Sequence, residues 1–184
     1  MLTLNFNPFP TIETERLVLR EITEDDIPEI FYQRSDPQMM RYVDRKPASS
    51  MQDASEFLGR VQAALLSNDG ITWGIALRNE PKLIGNMGLW RVDKEHHRAE
   101  LGYVLHPEHQ SKGYASESMK AVLDYGFNIM KVHSIEANVN PNNAASIKLL
   151  ERNGFIREAY FKENYYFDGK YLDSAIYSLI SSLK

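Results

Sequence analysis

The segment Gln110-Ser111-Lys112-Gly113-Tyr114-Ala115 carries the clearest chemistry in the chain. It follows an apolar run and precedes residues at helical spacing, so it reads as a turn into a helix N-terminus. Backbone N–H groups there point outward at the positive end of the helix dipole, a nest that suits phosphate oxygens. Gly113 lets a phosphate approach the main chain, Ala115 is too small to obstruct it, and Lys112 adds charge. A glycine at a helix start is more often a plain cap, and this segment taken alone favours that reading. The spacing matches neither GxxxxGK(S/T) nor GxGxxG. Glu100 is a second candidate, a carboxylate inside an otherwise apolar strand. Burial would raise its pKa toward that of a useful general base. It would equally serve as an anchor for a neighbouring strand. His106 and His109 are three apart, but they lie in a Pro-containing loop with no third ligand placed, so no metal site is expected.

Elements on either side must position these groups. Arg16 to Ile22 alternates as a strand, and Arg16 and Arg20 would make a solvated or salt-bridged face. Thr23 to Asp26 signals a helix start, with Pro28 tolerable only in its first turn. A short second helix is expected around Met39 and Met40. Ser50 and Asp53 form a capping box ahead of an amphipathic helix. Ile71 to Leu77, Leu83 to Val92 and Arg98 to Leu105 read as an antiparallel meander, with Gly85 and Gly88 marking a bulge or close backbone approach. After the helix that starts near Gly113 come a strand from Val132 to Val139 and a helix carrying Ile147 and Leu150. Asn153-Gly154 is its left-handed stop. Phe155 to Tyr166 and Tyr171 to Ile180 pair across a turn at Asp168-Gly169. The expected fold is α/β, a mixed sheet of about seven strands with about four helices, a size ordinary for sheets.

The chain has 184 residues, of which 43% are hydrophobic, enough for one core and one domain spanning 1–184. A net charge of −4 asks for no nucleic-acid surface. The absence of cysteine excludes disulfides, thiolate zinc sites and a cysteine nucleophile. Met1 to Pro10 does not read as a signal peptide, and no stretch approaches a membrane span. The expectation is a cytoplasmic protein, with exposed edge strands near the end that would allow a homodimer.

Four blocks occur in order along the chain: Thr14-Glu15-Arg16-Leu17-x-Leu19-Arg20, Ile84-Gly85-Asn86-x-Gly88-Leu89, Gln110-x-x-Gly113-x-Ala115, and Val139-Asn140-Pro141-x-Asn143-x-x-Ser146 closed by Glu151-Arg152-Asn153-Gly154-Phe155. Together they resemble the GNAT N-acetyltransferase superfamily, in its RimJ/RimL-type branch. The resemblance implies acetyl-CoA as co-substrate and no metal. The co-substrate would lie in a V-shaped opening between two splayed parallel strands, the one ending at Leu105 and the one from Val132 to Val139. It implies that the pantetheine arm pairs with Tyr103, Val104 and Leu105. The pyrophosphate would rest on N–H groups from Ser111 to Ser116, through Lys112, Gly113, Tyr114 and Ala115. Asn143 matches a co-substrate contact, and Ser146 a serine near the thioester sulfur. Glu100 matches a strand glutamate used as base in some members.

Acetyl transfer needs a neutral amine, a polarised carbonyl and a protonated thiolate. Two departures bear on this. Many members carry a tyrosine acid where this chain has Leu150, and the branch's glutamate base near the final hairpin falls at Tyr165, with Glu163 and Tyr166 close by. The implied acceptor is a primary amine, first of all the N-terminal amine of a ribosomal or other protein. The alternatives are a small amine, or a non-catalytic acyl-CoA-binding module. An acidic groove would suit a cationic small amine, and an open one a peptide end. Arg34, Tyr42 and Asp44 fall where acceptor-side helices are expected.

Overall fold

The computed structural model describes residues 1–181. Its strands are β1 (Ile12–Glu13), β2 (Leu17–Arg20), β3 (Ile71–Leu77), β4 (Glu80–Asp93), β5 (Arg98–Leu105), β6 (Ser134–Val139), β7 (Ile156–Phe167) and β8 (Lys170–Ile180). The helices are α1 (Ile27–Ser35), α2 (Pro37–Met40), α3 (Met51–Leu66), α4 (Tyr114–Asp124) and α5 (Ala144–Arg152), with one π-helical turn, Tyr125–Ile129, continuing α4. The strands form one sheet in the order β1-β2-β3-β4-β5-β6-β8-β7. Every neighbouring pair is antiparallel except β5 and β6. The expected α/β mixed sheet is therefore present. The strand beyond the expected seven is β1, whose two residues are too few to show a period. The short second helix expected around Met39 and Met40 is the single turn α2.

Local signals explain the helix ends. Ser50 accepts from the Asp53 N–H while Asp53 reaches back to the Ser50 N–H, the capping box expected for α3. Asn143 Oδ1 accepts from the Ser146 N–H at the start of α5. At its end Gly154 adopts φ +90°, and the N–H groups of Gly154 and Phe155 bond to Glu151 O and Leu150 O, a Schellman stop. The Val132 N–H instead bonds to Gly126 O, so β6 starts two residues later than expected. Asp168 and Gly169 both have positive φ, the geometry of a two-residue hairpin turn.

Both faces of the sheet are covered. α4 and α5 bring Met119, Val122 and Leu150 against Leu89, Leu101 and Ile135 in the larger apolar cluster. α1 and α3 cover the other face through Ile30, Ala54 and Leu58 against Ile22 and Leu83. A Cβ at Gly85 would lie 2.4 Å from Val104 O, and one at Gly88 2.5 Å from Ile71 O, so close backbone approach requires both glycines. β7 is one edge of the sheet and exposes Ile156, Tyr160, Phe161 and Tyr166. Among the described residues no helix is long and apolar enough to cross a membrane.

The feature that creates a site is the β5–β6 junction. The two strands pair at only three positions, Arg98↔Ser134, Ala99↔Ile135 and Glu100↔Glu136. Beyond them β5 stays on β4 as far as Leu105↔Gly85, and β6 stays on β8 as far as Val139↔Ala175. The strands therefore diverge after Glu100, leaving a gap that widens toward Gly113.

Candidate active site

The wide end of the gap is built from main chain. Ser111 and Gly113 both take left-handed φ, +60° and +84°, which folds the loop back into α4. Among the described residues, the backbone N–H groups of 111–116 donate to no protein acceptor. Three of these belong to the first turn of α4, where no intrahelical acceptor exists. Those of Ser111 and Lys112 extend the row outside the helix. This cradle fits the pyrophosphate of acetyl-CoA. Arg16 braces it from the far side: its guanidinium donates to Lys112 O, pairs with Glu117 at 2.7 Å and lies over the Tyr114 ring. Gln110 reaches back, its Nε2 donating to Leu105 O at 3.0 Å.

Along the gap, alternation decides what β5 offers. The His106 N–H donates to Ile84 O on β4. In an antiparallel ladder every second residue then faces the same partner, so Val104 turns its main-chain groups to β4. Tyr103 and Leu105 turn theirs into the gap. Of the three residues expected to pair with a pantetheine arm, Val104 is thus misplaced for it, and Leu105 O is already engaged by Gln110.

The Tyr103 side chain crosses the gap toward α5. Its hydroxyl lies 2.5 Å from Ser146 Oγ, and burial pushes its pKa up to about 12. Ser146 is the third residue of α5, where the Asn143 cap fixes its backbone. Asn143 is therefore a cap first, with its side chain directed at α5. Leu150 is fully buried in the core and contributes no polar group. The phenol that meets α5 comes instead from β5 across the gap. Tyr103 was singled out for its main chain alone. Its side-chain role gave no signal, because a partly apolar strand position is an ordinary place for tyrosine.

Glu100 sits at the vertex, in the last paired position of β5. Its side chain faces the α1–α3 side, opposite to Tyr103. It is only 12% exposed and forms a 2.9 Å ion pair with Arg91. Its pKa is raised, chiefly by burial and further by Glu136, against the lowering effect of Arg91. A β-bulge between Trp90 and Asp93 brings Arg91 there, with Arg91 at φ +47°. Without it, Arg91 would point to the other face from Trp90. The Arg91 guanidinium also lies over the Trp90 ring, at 4.8 Å.

The α1–α3 side carries further polar groups. Asn86 on β4 donates to Gln33 on α1 at 2.9 Å. The Tyr165 hydroxyl donates to Asp44, tying the 41–50 loop to β7, and burial together with Asp44 raises the Tyr165 pKa. Tyr165 therefore supports the loop as a hydrogen-bond donor rather than supplying a base. Glu163 has φ +51° at a bulge and gives its N–H to Asp173. Arg34 stacks on Phe57 of α3, while the Ala48 N–H donates to Arg34 O. The His106, Glu108 and His109 ligand atoms lie within 4.8 Å of one another. His106 Nδ1 already accepts from the Glu108 N–H and its ring stacks on Tyr32, so the turn itself accounts for the grouping.

The sequence family described as the acetyltransferase (GNAT) domain matches residues 16–156, which includes the splayed strands, the cradle and both helices beside it. The chain belongs to this family. It is an N-acetyltransferase, and acetyl-CoA is its co-substrate. It is 36% identical over 172 residues to an uncharacterized N-acetyltransferase, YoaA of Bacillus subtilis, covering 94% of this chain and 97% of that one. The [ribosomal protein uS5]-alanine N-acetyltransferase of Escherichia coli is 29% identical over 123 residues, covering 66% of this chain and 63% of that one. The spermidine N-acetyltransferase structure from Vibrio cholerae, in complex with CoA and spermine, superposes with a TM-score of 0.81 at 26% identity. It covers 92% of this chain and 98% of that one. GNAT relatives thus act on amines of different kinds, and membership does not choose among them.

Proposed function

We propose that this GNAT enzyme acetylates an α-amine, that of a protein N-terminus, in the manner of the RimJ/RimL-like branch. The observation that carries the reading is the ladder ending at Glu100. It leaves a gap with a hydroxyl pair on one side and a buried carboxylate on the other. The 111–116 N–H groups hold the diphosphate, and the Tyr103 and Leu105 main chain lines the path from there to the vertex. Acetyl-CoA supplies an activated acyl carbon.

The amine approaches from the α1–α3 side, where Glu100 takes its proton as the nitrogen bonds to that carbon. The C–S bond breaks and the electron pair stays on sulfur. Ser146 Oγ gives the sulfur a proton and recovers one from Tyr103, which is reprotonated by solvent. Glu100 then releases its proton to solvent, so the products are an N-acetylamine and the free thiol, and atoms and charge balance. An unperturbed α-amine has a pKa near 8 and a lysine amine about 10.4, so the α-amine is partly neutral at physiological pH. A base with a moderately raised pKa is then sufficient, and Glu100 fits that demand.

The test is thiol release from acetyl-CoA with peptides bearing free or blocked N-termini. Release that depends on a free α-amine supports the reading. Equal release without any amine, or none with every amine, overturns it.

A further inference from the structure

The α1–α3 side carries several cations, and two of its arginines are left without an ion pair. Among the described residues neither Arg34 nor Arg45 has a carboxylate within ion-pair distance. Both rest on aromatic faces instead: Arg34 at 4.4 Å from the Phe57 ring centre, Arg45 at 5.5 Å from that of Trp90. Arg91 shares the Trp90 ring with Arg45 and is the one held by Glu100. Burial disfavours the charge on Arg34, as do the guanidiniums of Arg45 and Arg60, and Asp53 only partly compensates. Asp53 itself is spent on the N–H groups of Ser49 and Ser50.

Arg45 also borders an open cavity of ≈ 360 Å³ in which Arg41, Lys46 and Lys170 join it against Asp44 and Asp168. Asp44 is already engaged by Tyr165. Two buried donors on this side also lack partners: Trp90 Nε1 of β4, which lies over Gly102, and Gln33 Nε2 of α1, beside Asn86. Orphaned N–H donors need an oxygen acceptor, and unpaired arginines need one that carries negative charge; a carboxylate meets both needs. Arginine stacked on an aromatic face is held in place for a bidentate carboxylate.

We infer that the acceptor amine carries a carboxylate, which Arg34 and Arg45 bind while the amine faces Glu100. This rests on the acetyl-transfer reading above and narrows its substrate. A polycation would meet like charge at Arg34, Arg41 and Arg45, so a polyamine is the wrong ligand for this face. Two sources offer the required chemistry: a free acidic amino acid, and a peptide whose N-terminal residues are acidic.

The test measures KM for L-aspartate and L-glutamate, for tripeptides with acidic residues after the free N-terminus, for the amide counterparts of each, and for spermidine. Carboxylate-bearing acceptors should have KM values at least ten-fold below those of their amides, and the difference should shrink at high salt. Arg45→Ala and Arg34→Met should erase it without changing CoA affinity. Arg45→Glu should move preference toward spermidine. Whichever acidic set, amino acids or tripeptides, shows the lower KM identifies the source. Amides used as well as acids, or spermidine preferred by the unaltered enzyme, would overturn the inference and leave acetyl transfer standing. Failure with every amine would sink both together.

Discussion

The two sides of the vertex are made of different material. Toward α4 and α5 the surface is mostly main chain, namely the N–H groups of 111–116, the inward edge of β5 and a capped helix start, with the Tyr103–Ser146 hydroxyl pair as its side-chain part. Toward α1 and α3 it is side chain: Glu100, Arg91, Trp90 and Arg45, aimed by a bulge and by a loop pinned at Asp44. Main-chain groups are the same whatever the residue, so their position depends on glycine and turn geometry. Side-chain recognition is free to change with each substitution. The first surface suits a co-substrate common to a family, and the second suits an acceptor that differs among its members.

The sharpest way to separate the two sides is Glu100→Gln. A positioned general base contributes about 10²- to 10⁴-fold, so turnover should fall at least about 100-fold while CoA affinity stays unchanged. Only ionised Glu100 accepts a proton. Because its pKa is raised, the acid limb of kcat/KM should lie above the ordinary carboxylate range. It should vanish in the variant. Arg91→Ala removes a lowering influence and should move that limb to higher pH. A pH–rate profile that ignores both changes would place the base elsewhere.

Gly113→Val should act on the other side alone. A non-glycine residue in the left-handed region costs about 1–2 kcal/mol, so CoA affinity should weaken about ten-fold or more. Calorimetry with CoA measures this, and acceptor KM at saturating acetyl-CoA should hold steady. Unaltered affinity would remove the cradle from the site.

The smallest effect belongs to the hydroxyl pair that joins β5 to α5. Tyr103→Phe and Ser146→Ala should each lower kcat by roughly ten-fold, and the double variant should lose little more, because linked groups are not additive. Additive losses would mean that the two hydroxyls act separately.

How much could be read beforehand follows the same division. The capping box at Ser50 and Asp53, the stop at Gly154 and the meander from Ile71 to Leu105 are local patterns, and each stands where the sequence put it. The cradle's glycine was legible for the same reason. The Arg91 position was not, because a bulge between Trp90 and Asp93 reverses the alternation on which such a reading depends. Nor was the Tyr103–Ser146 contact, which joins residues 43 positions apart.

The order of elements, the turn that exposes its N–H groups and the carboxylate inside an apolar strand were settled by short-range rules: period, caps and glycine. The tertiary structure alone decided where β5 leaves β6, which hydroxyl meets Ser146 and which arginines are left without a carboxylate. Those outcomes depend on distances between segments far apart in the chain, and on which side-chain charges are already matched. No local pattern encodes either.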